Sequence, residues 1–129
     1  MNVMCVKWGT KYSAEFVNKL YSMVKRNLNA DFDFYCYTDD PSGVQNSINC
    51  IPITSDLEKW WPKIDLLGRF NESGTNILFD LDIVIINPLD KLLAYNPTKL
   101  SVLSTAWKVG MKYPCGDQDR YPTMYNSSI

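Results

Sequence analysis

Asn76-Ile77-Leu78-Phe79-Asp80-Leu81-Asp82-Ile83-Val84-Ile85-Ile86 is the most apolar stretch of this chain, and two carboxylates stand in its middle. Ser73-Gly74 makes a turn before it and Asn87-Pro88 ends it. A strand has a side-chain period of two, so Asp80 and Asp82 project to one face if the segment is extended. Toward the N-terminus, Trp60-Trp61-Pro62 precedes a short helix with Ile64, Leu66, Leu67 and Phe70 apolar, the tryptophans serving as packing anchors. Ile48 to Ile53 is a short strand, and Pro52 places it at an edge. Phe32, Phe34, Cys36 and Thr38 alternate with Asp33, Tyr35 and Tyr37, the pattern of a strand with two unlike faces, and Asp39-Asp40-Pro41-Ser42-Gly43 turns after it. Ser13 is the N-cap of a helix with Phe16, Val17, Leu20, Tyr21 and Val24 at helical spacing and Lys25 and Arg26 near its end. Val3-Met4-Cys5-Val6 has the form of a buried strand, and Lys7 to Tyr12, with Gly9, is the loop after it. Toward the C-terminus, Leu89, Leu92 and Leu93 suggest a short helix and Ser101 to Leu103 a last strand, while Ala106 to Ile129 shows no clean period.

The order strand, helix, strand, strand, helix, strand predicts an α/β sandwich with a mostly parallel central sheet and flanking helices. Ligands of such sheets sit outside the carboxyl ends of the strands. Three loops converge there, after Val6, after Thr38 and after Phe79.

With 129 residues and 14.8 kDa the chain is sized for one domain, residues 1–129. Hydrophobic residues are 46% and charged residues 21%, which excludes disorder as the main state. The net charge of -1 argues against a nucleic-acid partner, whose phosphates call for a basic face. There is no histidine, so His-based triads, dyads and metal sites are excluded. Cys5, Cys36, Cys50 and Cys115 form no C-x-x-C pair, and Cys5 and Cys36 lie in apolar runs that suit buried free thiols. Met1-Asn2-Val3-Met4 lacks the pattern of a signal peptide, and Ile83 to Ile86 is too short for a membrane span, which takes ~20 residues. These features predict a soluble, reduced, cytoplasmic protein. Trp8, Trp60, Trp61 and Trp107 leave room for a homodimer without specifying one.

Two carboxylates at one strand end repel each other and cost free energy to desolvate. A hard divalent cation, Mg²⁺ or Mn²⁺, removes both problems and keeps open positions for water or substrate phosphate. The competing reading is that Asp80 ends the strand and caps a turn while Asp82 is solvated. A bare D-x-D is common; its setting inside an apolar run favours the metal.

At this point the chain resembles the metal-dependent nucleotide-sugar glycosyltransferases of GT-A fold, particularly small ones akin to glycosyltransferase family 8. The pieces that carry the likeness are Val3-Met4-Cys5-Val6-Lys7-Trp8-Gly9-Thr10-Lys11-Tyr12, Phe34-Tyr35-Cys36-Tyr37-Thr38-Asp39-Asp40, Trp60-Trp61-Pro62-Lys63, Leu78-Phe79-Asp80-Leu81-Asp82-Ile83-Val84-Ile85 and Tyr125-Asn126-Ser127-Ser128. Each is weak alone; their order along nearly the whole chain is the stronger signal. The resemblance implies a GT-A, Rossmann-like sandwich and transfer of a sugar from a UDP-sugar to an acceptor or slowly to water. It implies that Lys7, Trp8, Gly9 and Tyr12 border the nucleotide, with Tyr12 a stacking partner, and that Asp39 or Asp40 accepts a hydrogen bond from uracil. Lys63 would face the diphosphate or donor sugar, Asp80 and neighbouring Leu81 the donor, Asn126 the sugar, and Asp80 with Asp82 the metal, Mn²⁺ or Mg²⁺. The family's late metal-binding histidine is missing, and Asp117-Gln118-Asp119, which looks like its D-Q-D motif, precedes Asn126 instead of following it.

Each residue also has a plainer reading. Tyr12 covers the start of a helix, Asp39 and Asp40 suit a turn for backbone reasons, Lys63 is a solvated lysine and Asn126 a turn residue. Two other functions compete. Phe79-Asp80-Leu81-Asp82-Ile83-Val84 also fits the opening of a haloacid-dehalogenase-like phosphatase, with Asp80 as nucleophile and Asp82 as acid/base, although that motif normally stands on the first strand. The other is a module that binds nucleotide without turnover.

Overall fold

The computed structural model describes residues 1–58, 61–70, 74–94, 101, 103–104 and 125–126. Four short apolar segments form one all-parallel sheet: β1 (Asn2–Lys7), β2 (Asp33–Thr38), β3 (Asn49–Pro52) and β4 (Asn76–Leu78), in the order β3-β2-β1-β4. Val3 faces Phe34 and Ile77, and Cys5 faces Cys36, which in turn faces Cys50. Pro52 closes β3 on the sheet's outer edge, where a missing N–H breaks no ladder.

Helix α1 (Ala14–Asn27) starts after Ser13, whose side chain makes no capping bond, and carries Lys25 and Arg26 in its last turn. Val17, Leu20 and Val24 are fully buried. They face the sheet side that holds Val3, Cys5, Phe34 and Cys36, and Tyr21 meets Phe34 edge-on with centroids 5.4 Å apart. Burial of each such aliphatic side chain contributes about 1.5–3 kcal/mol. Helix α2 (Pro62–Arg69) covers the opposite side. Its Leu66 packs with Met4, Tyr37 and Leu78, and Val6, Tyr35, Ile51, Ile53, Leu67 and Phe70 surround them. The apolar stripe of α2 is narrower than its composition suggests, since Ile64 is 61% exposed. Trp61 is exposed as well and anchors no core; its carbonyl accepts the Ile64 N–H instead.

The largest departure from expectation falls on the central apolar run. Strand β4 ends at Leu78, Phe79 adds one more ladder bond to the Met4 carbonyl at 2.9 Å, and the chain then turns at Leu81-Asp82. Leu81 is buried and Asp82 exposed, so the turn satisfies an apolar and an ionised residue that a straight strand would have placed together in the core. Ile83 to Ile86 is not a strand, and Val84 and Ile86 are 74% and 80% exposed. This segment runs beside the end of α1, where Leu89 N–H donates to the Asn27 carbonyl at 2.7 Å, and leads to α3 (Asp90–Leu93).

The contacts divide the chain into two compact units, Met1–Asn96 and Pro97–Ile129. In the second, β5 (Leu103–Ser104) pairs antiparallel with β6 (Tyr125–Asn126). The last strand expected at Ser101 to Leu103 thus lies slightly further on. Expectations concerning Trp60, Trp107, Cys115, Asp117 and Gln118 lie outside the described residues. Among the described residues no helix is long and apolar enough to cross a membrane.

Candidate functional site

Strand numbering reverses direction between β1 and β4, which makes that pair the topological switch point of the sheet. The exits of β1, β2 and β4 lie at one end because all four strands are parallel. Three side-chain bonds tie these exits together. Gly9 N–H donates to Asp39 Oδ2 at 2.9 Å, Lys7 Nζ donates to the Asp40 carbonyl at 3.0 Å, and Tyr12 Oη donates to Asp82 Oδ2 at 2.9 Å.

Gly9 has φ +65, a left-handed backbone that glycine adopts without steric cost, and this aims its N–H at Asp39. Lys7 is only 5% exposed and its ammonium joins the β1 exit to the β2 turn, so its evident work is structural. Asp40 has a local role: its carboxylate accepts the Ser42 N–H at 2.9 Å. Hydrogen bonds from Ser42, with a smaller contribution from Lys7, hold its carboxyl below the usual carboxylate range. Of the two turn aspartates, it is therefore Asp39 that faces the β1 loop. Trp8 is half-buried at the same exit, and Leu81 is buried, so Leu81 has only its backbone to offer a ligand.

The D-x-D carboxylates are drawn to different partners. Lys63, in the first turn of α2, makes an ion pair with Asp80, and both side chains are largely shielded. Asp82 is exposed and takes the Tyr12 hydroxyl. Because Lys63 belongs to the layer on one side of the sheet and Tyr12 leads into the helix on the other, each helical layer holds one carboxylate. The single-face geometry of an extended strand is therefore replaced by a turn with the two acids held separately.

Tyr12 is itself braced. Its ring meets Phe16 edge-on with centroids 5.0 Å apart, and the Lys11 ammonium lies 4.8 Å from its centroid. The Tyr12 hydroxyl, and more weakly Asp82, hold the Lys11 ammonium above its ordinary pKa. A second network steadies α2: Tyr37 donates to Asp65, and Arg69 donates to Thr54 Oγ1 at 2.8 Å while its guanidinium lies over the Tyr37 ring at 5.3 Å. Sequence reading gave no site role to Lys11, Phe16, Asp65 or Arg69. The i, i+4 spacing of Tyr12 with Phe16 and of Asp65 with Arg69 was the available signal.

A groove of about 590 Å³ adjoins Asp82 on the α1 side, with Phe16, Met23 and Val84 among its walls. Leu81 and Asp82 are the candidate residues that border it. Among the described residues no group of three or more Cys, Asp and Glu side chains is placed so that it could hold a metal ion. The donors on offer are the two carboxylates of Asp80 and Asp82. Their oxygen donors suit a hard divalent cation that fills its remaining positions with water or phosphate, and such an ion would share Asp80 with Lys63. Asn126 lies on β6 in the second unit, and its side chain is outside the described set.

The fold and the site define an α/β protein with an all-parallel sheet of order β3-β2-β1-β4 and a carboxylate pair at the switch point. No protein-family model matches the chain, and no curated protein matches its sequence.

Proposed function

We propose that the chain is a GT-A-type domain that transfers a sugar from a UDP-sugar to an acceptor hydroxyl, or slowly to water. The reading is supported chiefly by the placement of Asp80 and Asp82 just past β4, at the switch point, with the β1 loop bonded to Asp82. Asp39 has a second oxygen with which to accept the uracil N3–H while Gly9 fixes the first. Asp80 and Asp82 would hold Mn²⁺ or Mg²⁺, which when bound supplies positive charge to the departing diphosphate. Lys63 keeps an ammonium beside Asp80, where it offsets charge of the same kind. In the reaction the bond from the anomeric carbon to the diphosphate oxygen breaks with its electron pair leaving on the diphosphate. The acceptor oxygen bonds to that carbon and gives up its proton to the departing diphosphate or to solvent.

The test uses the full chain with UDP-, GDP- and CDP-sugars, with and without Mn²⁺. The expected result is thermal stabilisation by the UDP compounds, by mass action, and UDP release that needs Mn²⁺ and falls to background in Asp82→Ala. Undiminished release in EDTA would refute the proposal. UDP binding without product would point to a nucleotide-binding module, and turnover of p-nitrophenyl phosphate to a phosphatase.

A further inference from the structure

Tyr12 presents a geometry that its place in a nucleotide loop does not explain. Its hydroxyl donates to Asp82 Oδ2 at 2.9 Å, a bond between residues 70 positions apart that spans the exits of β1 and β4. Its ring is fixed by Phe16 on the edge and by the Lys11 ammonium 4.8 Å from the centroid. Asp82 stands exposed on a turn. An exposed aspartate on a turn rotates freely unless something holds it, and a freely rotating ligand loses conformational entropy when it captures an ion. Carboxylates that ligate metals are characteristically oriented by hydrogen bonds from neighbouring groups.

Resting on the reading of Asp80 and Asp82 as cation ligands, we infer that Tyr12 is a positioning residue that holds the Asp82 carboxylate ready for a divalent cation. The Tyr12 hydroxyl donates a hydrogen bond to Oδ2. Oδ1 and the remaining lone pair of Oδ2 stay available as hard oxygen donors. Phe16 and Lys11 serve the same end by fixing the ring from which the hydroxyl projects.

The experiment separates this role from base stacking, because Tyr12→Phe keeps the ring and removes only the hydroxyl. Mn²⁺ binding to the 129-residue wild-type chain, Tyr12→Phe and Asp82→Ala is followed by the electron paramagnetic resonance signal of free Mn²⁺. Uridine binding without metal is measured alongside, since uridine has no phosphate with which to reach the ion. In Tyr12→Phe, Mn²⁺ affinity is expected to fall about 10-fold or more, the usual effect of losing a partner that orients a metal ligand, with uridine affinity retained. Retained uridine binding also shows that the variant is folded at the site. Wild-type Mn²⁺ affinity in Tyr12→Phe, with loss in Asp82→Ala, overturns the Tyr12 role and leaves the carboxylate site standing. Joint loss of Mn²⁺ and uridine in Tyr12→Phe is a general disturbance of the loop and also overturns it. Full Mn²⁺ affinity in Asp82→Ala, or none in the wild type, removes the carboxylate site and the inference with it.

Discussion

Gly9 shows how a single backbone angle serves the site. At φ +65 it turns its N–H onto Asp39, and no atom lies within 4 Å of where a Cβ would stand. Gly9→Ala therefore meets no clash but must hold a left-handed conformation, which costs an L-residue about 1–2 kcal/mol. A melting temperature lowered by a few degrees is the expected outcome in calorimetry. An unchanged melting temperature would mean that the loop relaxes to another path. Single residues also show where sequence reading ran out. Asp39 and Asp40 are equivalent in a D-D-P-S-G turn, and only the placement of Gly9 and Ser42 around them separates a carboxylate facing the β1 loop from one that closes its own turn.

At the scale of elements, α2 matters because it carries Lys63 to Asp80. It is held to the sheet by Leu66, fully buried, and by the Tyr37–Asp65 and Arg69–Thr54 bonds. Leu66→Ala is expected to cost about 2–5 kcal/mol, whereas Ile64→Ala, at a position 61% exposed, is expected to stay within about 0.5 kcal/mol of wild type. Denaturant titration of the two variants checks this contrast; equal losses would show that α2 packs by a different face. The strands and helices before Arg69 were legible because their apolar residues follow one period each. The run from Asn76 to Ile86 was not: its composition is that of a long strand, yet two carboxylates interrupt it. Desolvating ionised side chains outweighs the gain from extending the ladder, so β4 stops at Leu78, and beyond it Phe79 and Leu81 are buried while Asp82 is exposed.

Across the whole sheet, Cys5, Cys36 and Cys50 stand side by side on β1, β2 and β3. All three are free thiols, the first two buried. A hydrogen bond with Cys36, and then burial, push the Cys5 thiol well above its usual value; burial and the neighbouring Cys36 push Cys50 up less far. In the unfolded chain both ionise near the ordinary thiol pKa of about 8.5. Above that pH the unfolded state binds fewer protons than the folded one, so stability present below it is lost as pH rises toward the folded values. Thermal melts should have a midpoint that falls as pH rises above about 8.5, with a shallower slope in Cys5→Ala. Identical slopes in the two proteins would assign the alkaline loss to other groups.

What the sequence determined by itself was the alternation of apolar strands and amphipathic helices, because hydrophobic periodicity is a local property. That alternation was enough for a parallel α/β sheet and for the three loops at its carboxyl end. Only the tertiary structure decided the strand order, the switch point between β1 and β4, and the separate partners of the two aspartates. Those depend on contacts between residues far apart in the chain, such as Tyr12 with Asp82 and Lys63 with Asp80. No local period encodes them; they follow from how two helical layers close on one sheet and from the cost of shielding a charge such as that of Asp80 without a partner.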